Sequence, residues 1–413
     1  MLSKAENELV TQTATGTPMG EFMRRYWLPA LLSEEIPAPD SPPVQVRLMG
    51  EELVAFRDSN GRIGLLAEHC AHRGTSLFYG RNEDCGLRCI YHGWKYDVEG
   101  NVLDTPAEGE NSTFRGRVRQ PSFPCVESAG MVFTYLGPRE LQPVFPNYEY
   151  TQVPVQNVYV TKSLLECNWL QGLEGECDSA HLTYLHRQFD EAGDRVQALW
   201  LQPPVYDIEE TDFGLRLLAF RHPTPQQTYL RVSSFVTPVT VWVPVGNKEV
   251  HIYVPFDDEH AWRYDLGFYS DRAVRPEDIH RRSEIGADYR RSRTQANHYL
   301  QDREAQRTYS FTGIENFLNH DACATETMGP VYDRSREHLG VSDRAVIAVR
   351  RYLLDAVRRF REGEDPPHLI TDPARNKPTN IDTIAKVIPS DGDWHRHFPH
   401  LTYAPLEERI GAG

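Results

Sequence analysis

The sequence predicts an α+β protein in which a small all-β domain precedes a larger domain built on one antiparallel sheet. Three observations carry this. Apolar residues alternate with period two from about residue 44 to 137, between glycine-rich turns. A second set of alternating segments fills residues 204–269. Helical periods stand before, between and after these two runs.

Taken in order, Met19, Phe22, Met23, Tyr26, Trp27 and Leu31 recur at helical spacing, which predicts an amphipathic helix within 15–33. Pro37, Pro39, Pro42 and Pro43 break the chain. Val44, Val46 and Leu48 then alternate, Gly50 turns, and Leu53 to Phe56 returns; Asp58-Ser59-Asn60-Gly61 has hairpin composition. A helix is expected at about 163–185. Segments near 204–209, 213–221, 228–236, 239–243, 249–256 and 261–269 form the second sheet. Helical patterns resume near 275–306. Ser342-Asp343 starts a helix whose Val346, Val349, Leu353, Val357 and Phe360 share a face, with Gly363 as its stop. The expected division is a helical segment at 1–38 packing on the larger domain, the β domain at 39–155, and the larger domain at 156–413.

A chain of 413 residues can bury two or three cores. Its net charge of −15 argues against nucleic acid and anionic membranes as partners, while leaving room for a local basic pocket. No stretch reaches the roughly 18 apolar residues of a membrane span. The first residues lack a basic region followed by an apolar run, and the seven cysteines are an odd set. A cytoplasmic protein with reduced thiols is therefore expected.

Some of those thiols have the spacing of metal ligands. Cys70-Ala71-His72 and Cys89-Ile90-Tyr91-His92 form C-x-H and C-x-x-H, with sixteen residues between. Cys70 and Cys89 can hold one iron of a [2Fe–2S] cluster, and His72 and His92 the other. Gly74, Gly86 and Gly93 let backbone approach such a cluster. The competing readings are structural zinc, which prefers C-x2–4-C or H-x3–5-H pairs, and chance proximity. His69 is a bystander, because the motif is complete without it.

A second constellation lies between Asn168 and His186. Glu174, Asp178 and His181 are spaced i, i+4, i+7 and would share a helix face. His186 is five residues beyond His181, which on a regular helix turns it away by about 140°. The helix must end or distort for both to reach one metal. Two histidines and a distant carboxylate make the facial triad that holds Fe(II) and leaves positions open for dioxygen. Asp321 is the candidate carboxylate, with Glu326 and Asp333 as rivals. The plain alternative for His181 and His186 is ordinary packed or surface histidine.

Together, Cys70-x-His72-Arg73-Gly74 and Cys89-x-Tyr91-His92-Gly93-Trp94 resemble the Rieske signature of aromatic ring-hydroxylating oxygenases. Asn168-Trp169-x-Gln171 leading to Glu174, Asp178, His181 and His186 is similar to the phthalate-dioxygenase-type branch, as are Asp302-Arg303 and Glu326-Thr327-Met328-Gly329-Pro330. The resemblance runs from Met19-Gly20 to about Gly363. It implies an N-terminal Rieske [2Fe–2S] domain and a helix-grip (START-like) catalytic domain with a mononuclear Fe(II) held by His181, His186 and Asp321. His320 stands where that family often has Gln.

The resemblance also places Asp178, Glu174 and Asn168 in the catalytic set. Asp178 would link His181 to His92 of a neighbouring subunit, which implies a head-to-tail trimer or a hexamer of stacked trimers. Electrons would come from NAD(P)H through a separate reductase carrying flavin and iron–sulfur, since the chain shows no G-x-G-x-x-G turn of its own. The expected substrates are dioxygen and an aromatic compound, in this branch a carboxylate, undergoing dihydroxylation, monooxygenation or O-demethylation. Arg187, Arg221 and Arg231 are candidate carboxylate partners, weighed against an ordinary solvated role. His395, His397 and His400 read as a solvated tail. The rival functions are a Rieske electron carrier without oxygen chemistry and a zinc-bound hydrolase or binding protein.

Overall fold

The structure, a computed structural model, describes residues 1–109, 113–245, 248–279, 284–376 and 381–401. The N-terminal β domain holds two four-stranded antiparallel sheets. One is Val44–Leu48, Glu51–Arg57, Ile63–Ala67 and Ser122–Phe123; the other is Arg81–Glu83, Gly86–Arg88, Lys95–Tyr96 and Val102–Asp104. Val54, Phe56, Leu66, Leu77, Leu87, Trp94, Tyr96 and Val102 form a core of their own, which also encloses Cys70 and Cys89.

The helix expected within 15–33 is only Pro18–Met23. Trp27–Leu32 is instead a strand paired with Met131–Tyr135. Pro29 explains this, because proline has no N–H for a helical bond and disfavours the α conformation in the residue before it. The helices Lys4–Thr11 and Pro18–Met23 pack against the C-terminal helix Arg344–Arg361 of the larger domain.

The larger domain is an eight-stranded antiparallel sheet. Its main path runs Val158–Leu165, Ala261–Phe268, Glu249–Pro255, Thr240–Val243, Gln227–Val236, Gly214–Thr224 and Val205–Glu210, and Ile384–Pro389 also pairs with Gln227–Val236. The expected helix at 163–185 is corrected twice. Its start belongs to the Val158–Leu165 strand, and the helix itself is Trp169–Cys177. Asn168 caps its beginning by accepting from the Leu170 N–H. At its end, the Asp178 carboxylate accepts from the N–H groups of Ala180 and His181, an Asx turn that competes with further helix. This helix lies on the sheet at Gly172, where a Cβ would fall 2.3 Å from the Tyr253 ring.

Residues 275–306 are not one helical region. Among the described residues there, short 3-10 turns precede the helix Arg303–Thr308, and His298, Tyr299 and Leu300 all adopt positive φ. The helix Arg344–Arg361 buries Val346, Val349, Leu353 and Val357 and ends before Gly363, whose φ is 96°. No helix among the described residues is long and apolar enough to cross a membrane.

Candidate metal centres

Two matching loops carry the cysteine–histidine motif. The Cys70 carbonyl accepts from the Gly74 N–H at 2.8 Å, and the Cys89 carbonyl from the Gly93 N–H at 3.1 Å. Cys70 N–H donates to Thr75, and Cys89 N–H to Trp94. Gly74 and Gly93 take φ of 75° and 76°, the left-handed turn that closes each loop. The loops bring like residues together. The rings of His72 and His92 lie 4.6 Å apart, with His72 stacked on Trp94. Cys70 and Cys89 are buried beside each other; burial, reinforced by Cys70, pushes the Cys89 thiol up, while the N–H groups of Tyr91 and His92 pull it down. Tyr96 Oη lies 3.1 Å from Cys70 Sγ. Thiols on one side and imidazoles on the other fit a cluster with one Cys₂ iron and one His₂ iron.

In the larger domain, donor atoms of His181, His186 and Asp321 all lie within 4.8 Å of one another. The single helix face expected for Glu174, Asp178 and His181 does not form, because the helix stops at Cys177. His181 sits in a following 3-10 turn, and His186 lies just beyond it. Asp321 comes from the helix Phe317–Glu326. His186 Nε2 approaches Asp321 Oδ1 at 3.0 Å without an aligned hydrogen bond, and His181 Nε2 is 3.9 Å from the same oxygen. Two imidazoles and one carboxylate thus converge on a point, as a facial set for one Fe(II) requires. Of the rivals to Asp321, Glu326 bonds the Tyr299 hydroxyl and pairs with Arg291, and Asp333 caps Ser335.

Burial alone would lower the His181 pKa, but Asp178 and Asp321 outweigh it and raise it. Burial brings His186 down to about 4, against the pull of Asp321. Burial raises Asp321, but His186 more than offsets it, so the carboxylate stays ionised.

The other candidates have different surroundings. Asp178 Oδ2 lies 3.7 Å from His181 Nδ1, and Tyr206 Oη lies 3.5 Å from Asp178 Oδ1. Glu174 is held between Arg334 and Arg350 at 2.9 and 2.6 Å, so it serves as a buried clamp. Arg334 also donates to Asn7 Oδ1. The Asn168 amide donates to the carbonyls of Thr11 and Asp258. Arg221 and Arg231 are not solvated but buried; Arg221 grips the Ser179 carbonyl at 2.7 Å and so braces the turn between Asp178 and His181. Arg187 lies over the Phe189 ring. His395 and His397 pair with Asp393 and Asp391 on a half-buried turn beside buried Phe398, which corrects the reading of a solvated tail; the His400 side chain lies outside the described residues.

Sequence reasoning missed a charged layer beneath the three ligand candidates. Arg263 reaches Asp321 Oδ2 at 3.6 Å, Glu176 at 2.9 Å and Asp265 at 2.9 Å. His251 pairs with Glu176 at 2.9 Å, and Tyr253 donates to Glu176. His251 faces Asp265 across the sheet, and Tyr253 faces Arg263. The available signal was alternation: His251/Tyr253 and Arg263/Asp265 each recur at i, i+2, on an inward face. A cavity of about 200 Å³ opens beside this layer, lined among others by Glu176, His181, Arg263, Asp321 and Arg350.

Comparison with known proteins gives a family for each part of the chain. Residues 26–124 match the Rieske [2Fe-2S] domain, and residues 134–409 match the LigXa C-terminal domain like family. The oxygenase subunit of phthalate 4,5-dioxygenase from Pseudomonas putida is 38% identical, over 100% of this chain and 98% of its own length. The oxygenase subunit of 3-chlorobenzoate-3,4-dioxygenase from Comamonas testosteroni is 34% identical, over 88% and 90%. Among solved structures, dicamba monooxygenase bound to dicamba shares the fold, with a TM-score of 0.58 and 16% identity over 83% of this chain and 100% of that one.

Proposed function

The chain belongs to the Rieske oxygenases, as an oxygenase subunit with a [2Fe–2S] cluster and a mononuclear iron, and from that premise we propose its ligands, its substrate class and its assembly. Cys70, His72, Cys89 and His92 hold the cluster. His181, His186 and Asp321 hold Fe(II). When bound, the cluster supplies single electrons and the iron supplies the site at which dioxygen is activated for attack on the substrate.

The protein's own groups do the positioning. Asp178 faces His181 Nδ1 and so turns Nε2 toward Asp321. Arg263 faces Oδ2 of Asp321 while Oδ1 faces the two histidines. Arg221 holds the connecting turn through the Ser179 carbonyl. The convergence of three ligand atoms within 4.8 Å, in a chain that also carries the paired Rieske loops, is the observation on which this assignment rests.

The proposed substrate is an aromatic carboxylate; the names of the two curated relatives specify phthalate and 3-chlorobenzoate. The proposed donor is a separate NAD(P)H-dependent reductase with flavin and iron–sulfur. The proposed assembly is a homotrimer, singly or stacked as a hexamer, in which Asp178 joins His181 to His92 of the neighbouring subunit. The proposed setting is the cytoplasm, where thiols stay reduced.

Purified protein supplied with a reductase, NADH and a panel of aryl carboxylates and aryl ethers under ¹⁸O₂ tests this reading. We expect labelled product from an aryl carboxylate and about three irons per chain. Two added labelled hydroxyls indicate dihydroxylation, one indicates monooxygenation, and loss of a methyl group indicates O-demethylation. No labelled product across the panel, with iron confined to the cluster, overturns it.

A further inference from the structure

We propose that His320 is a positioning residue that fixes the tautomer of His186, presenting Nε2 of that ring as the metal-binding atom. The inference rests on the assignment of His186 as an iron ligand and goes beyond it, to how this one imidazole is oriented.

The argument is a count of protons along a buried chain. His320 is 6% exposed, and its Nε2 lies 2.6 Å from the Ile314 carbonyl oxygen. A carbonyl only accepts, so His320 Nε2 carries a proton. A neutral imidazole has a single N–H, and the Ile314 carbonyl claims it, so none is left for Nδ1. Its Nδ1 is therefore an acceptor. That Nδ1 faces His186 Nδ1 at 3.1 Å. Two bare nitrogens do not approach so closely in a hydrogen bond, so the shared proton belongs to His186 Nδ1. The lone pair of His186 is then left on Nε2, the atom turned toward Asp321.

One helical turn supplies the whole device. Phe317 stacks on the His186 ring at 3.6 Å and 10°, and so fixes its plane. Three residues later His320 fixes its rotation, and Asp321 follows as the neighbouring ligand. His181, by contrast, is turned by the carboxylate of Asp178. The two imidazoles are thus set by different chemistry, one by an anion and one by a neutral ring.

The test uses the full chain with its cluster in place and its mononuclear iron removed by a mild chelator. Co(II) affinity is measured by equilibrium dialysis, with the cluster absorption spectrum as the check on folding. His320→Gln keeps an acceptor at this position; His320→Leu and His320→Met do not keep a comparable one. We expect Gln to bind within about threefold of wild type, and Leu or Met to bind about 10–100-fold more weakly. If either apolar variant retains the cluster spectrum and binds Co(II) as tightly as wild type, the inference is overturned; it is also overturned if Gln is as weak as Leu and Met. If wild type takes up no more Co(II) than His181→Ala, the ligand assignment itself fails, and this inference with it.

Discussion

Asp178 ends the Trp169–Cys177 helix and faces the next histidine in the chain: its Oδ1 caps the Ala180 N–H at 2.6 Å while its Oδ2 lies 3.7 Å from His181 Nδ1. One carboxylate therefore shapes the turn and orients the ring. Asp178→Asn keeps an oxygen for the cap but loses the negative charge. Turnover should fall by about 100-fold or more while both metals stay bound, as read by steady-state oxygen uptake beside iron analysis. Unchanged turnover would remove Asp178 from the catalytic set.

Glu174 predicts a change in stability. Its removal would leave Arg334 and Arg350 buried around a missing anion. Glu174→Ala should cost about 3–5 kcal/mol in urea unfolding. The cluster spectrum should be unaltered, because the Rieske core is separate.

The charged layer predicts a pH dependence. Burial opposes charge on His251, but Glu176 and Asp265 overcome it and raise the pKa to about 9, from an ordinary 6.5. The folded state binds this proton more tightly than the unfolded chain does. Its contribution is therefore complete below about pH 6.5 and is lost as the pH climbs through about 9. Thermal melts between pH 6.5 and 9.5 should show Tm falling, with a shallower fall in His251→Gln. Parallel slopes would show that another group is responsible.

Tyr96 bears on the cluster's potential. Burial and the neighbouring Cys70 push its hydroxyl well above the ordinary range, so it remains a proton donor to sulfur. Reduction adds negative charge that such a donor stabilises. Tyr96→Phe should lower the reduction potential, measured by a redox titration monitored by EPR; an unchanged or higher value would contradict the hydrogen bond.

How legible each part was depends on whether its signal is local. The strands at 204–269 follow from alternation in the sequence itself, as Val250, Ile252 and Val254 show within Glu249–Pro255, a strand buried on both faces. Only the end of Val158–Leu165, from Ser163, falls in the expected helix, because the adjacent apolar Leu164 and Leu165 break the alternation there. Cys70, His72, Cys89, His92, His181 and His186 stand out because loop motifs place ligands close in sequence. Arg263 and His251 did not, because only strand pairing brings them under the ligands. The fate of Glu174 was hidden for the same reason: its partners, Arg334 and Arg350, lie at least 160 residues away.

The ties of the first helix carry a practical consequence. Asn168, at the start of the Trp169–Cys177 helix, holds the Thr11 carbonyl, and Arg334, clamped to Glu174 midway along it, holds Asn7. Deleting the opening dozen residues to ease expression would therefore take away two braces from the element that leads into His181. Shortened versions should lose mononuclear iron on dialysis sooner than the intact polypeptide, although no ligand has been touched.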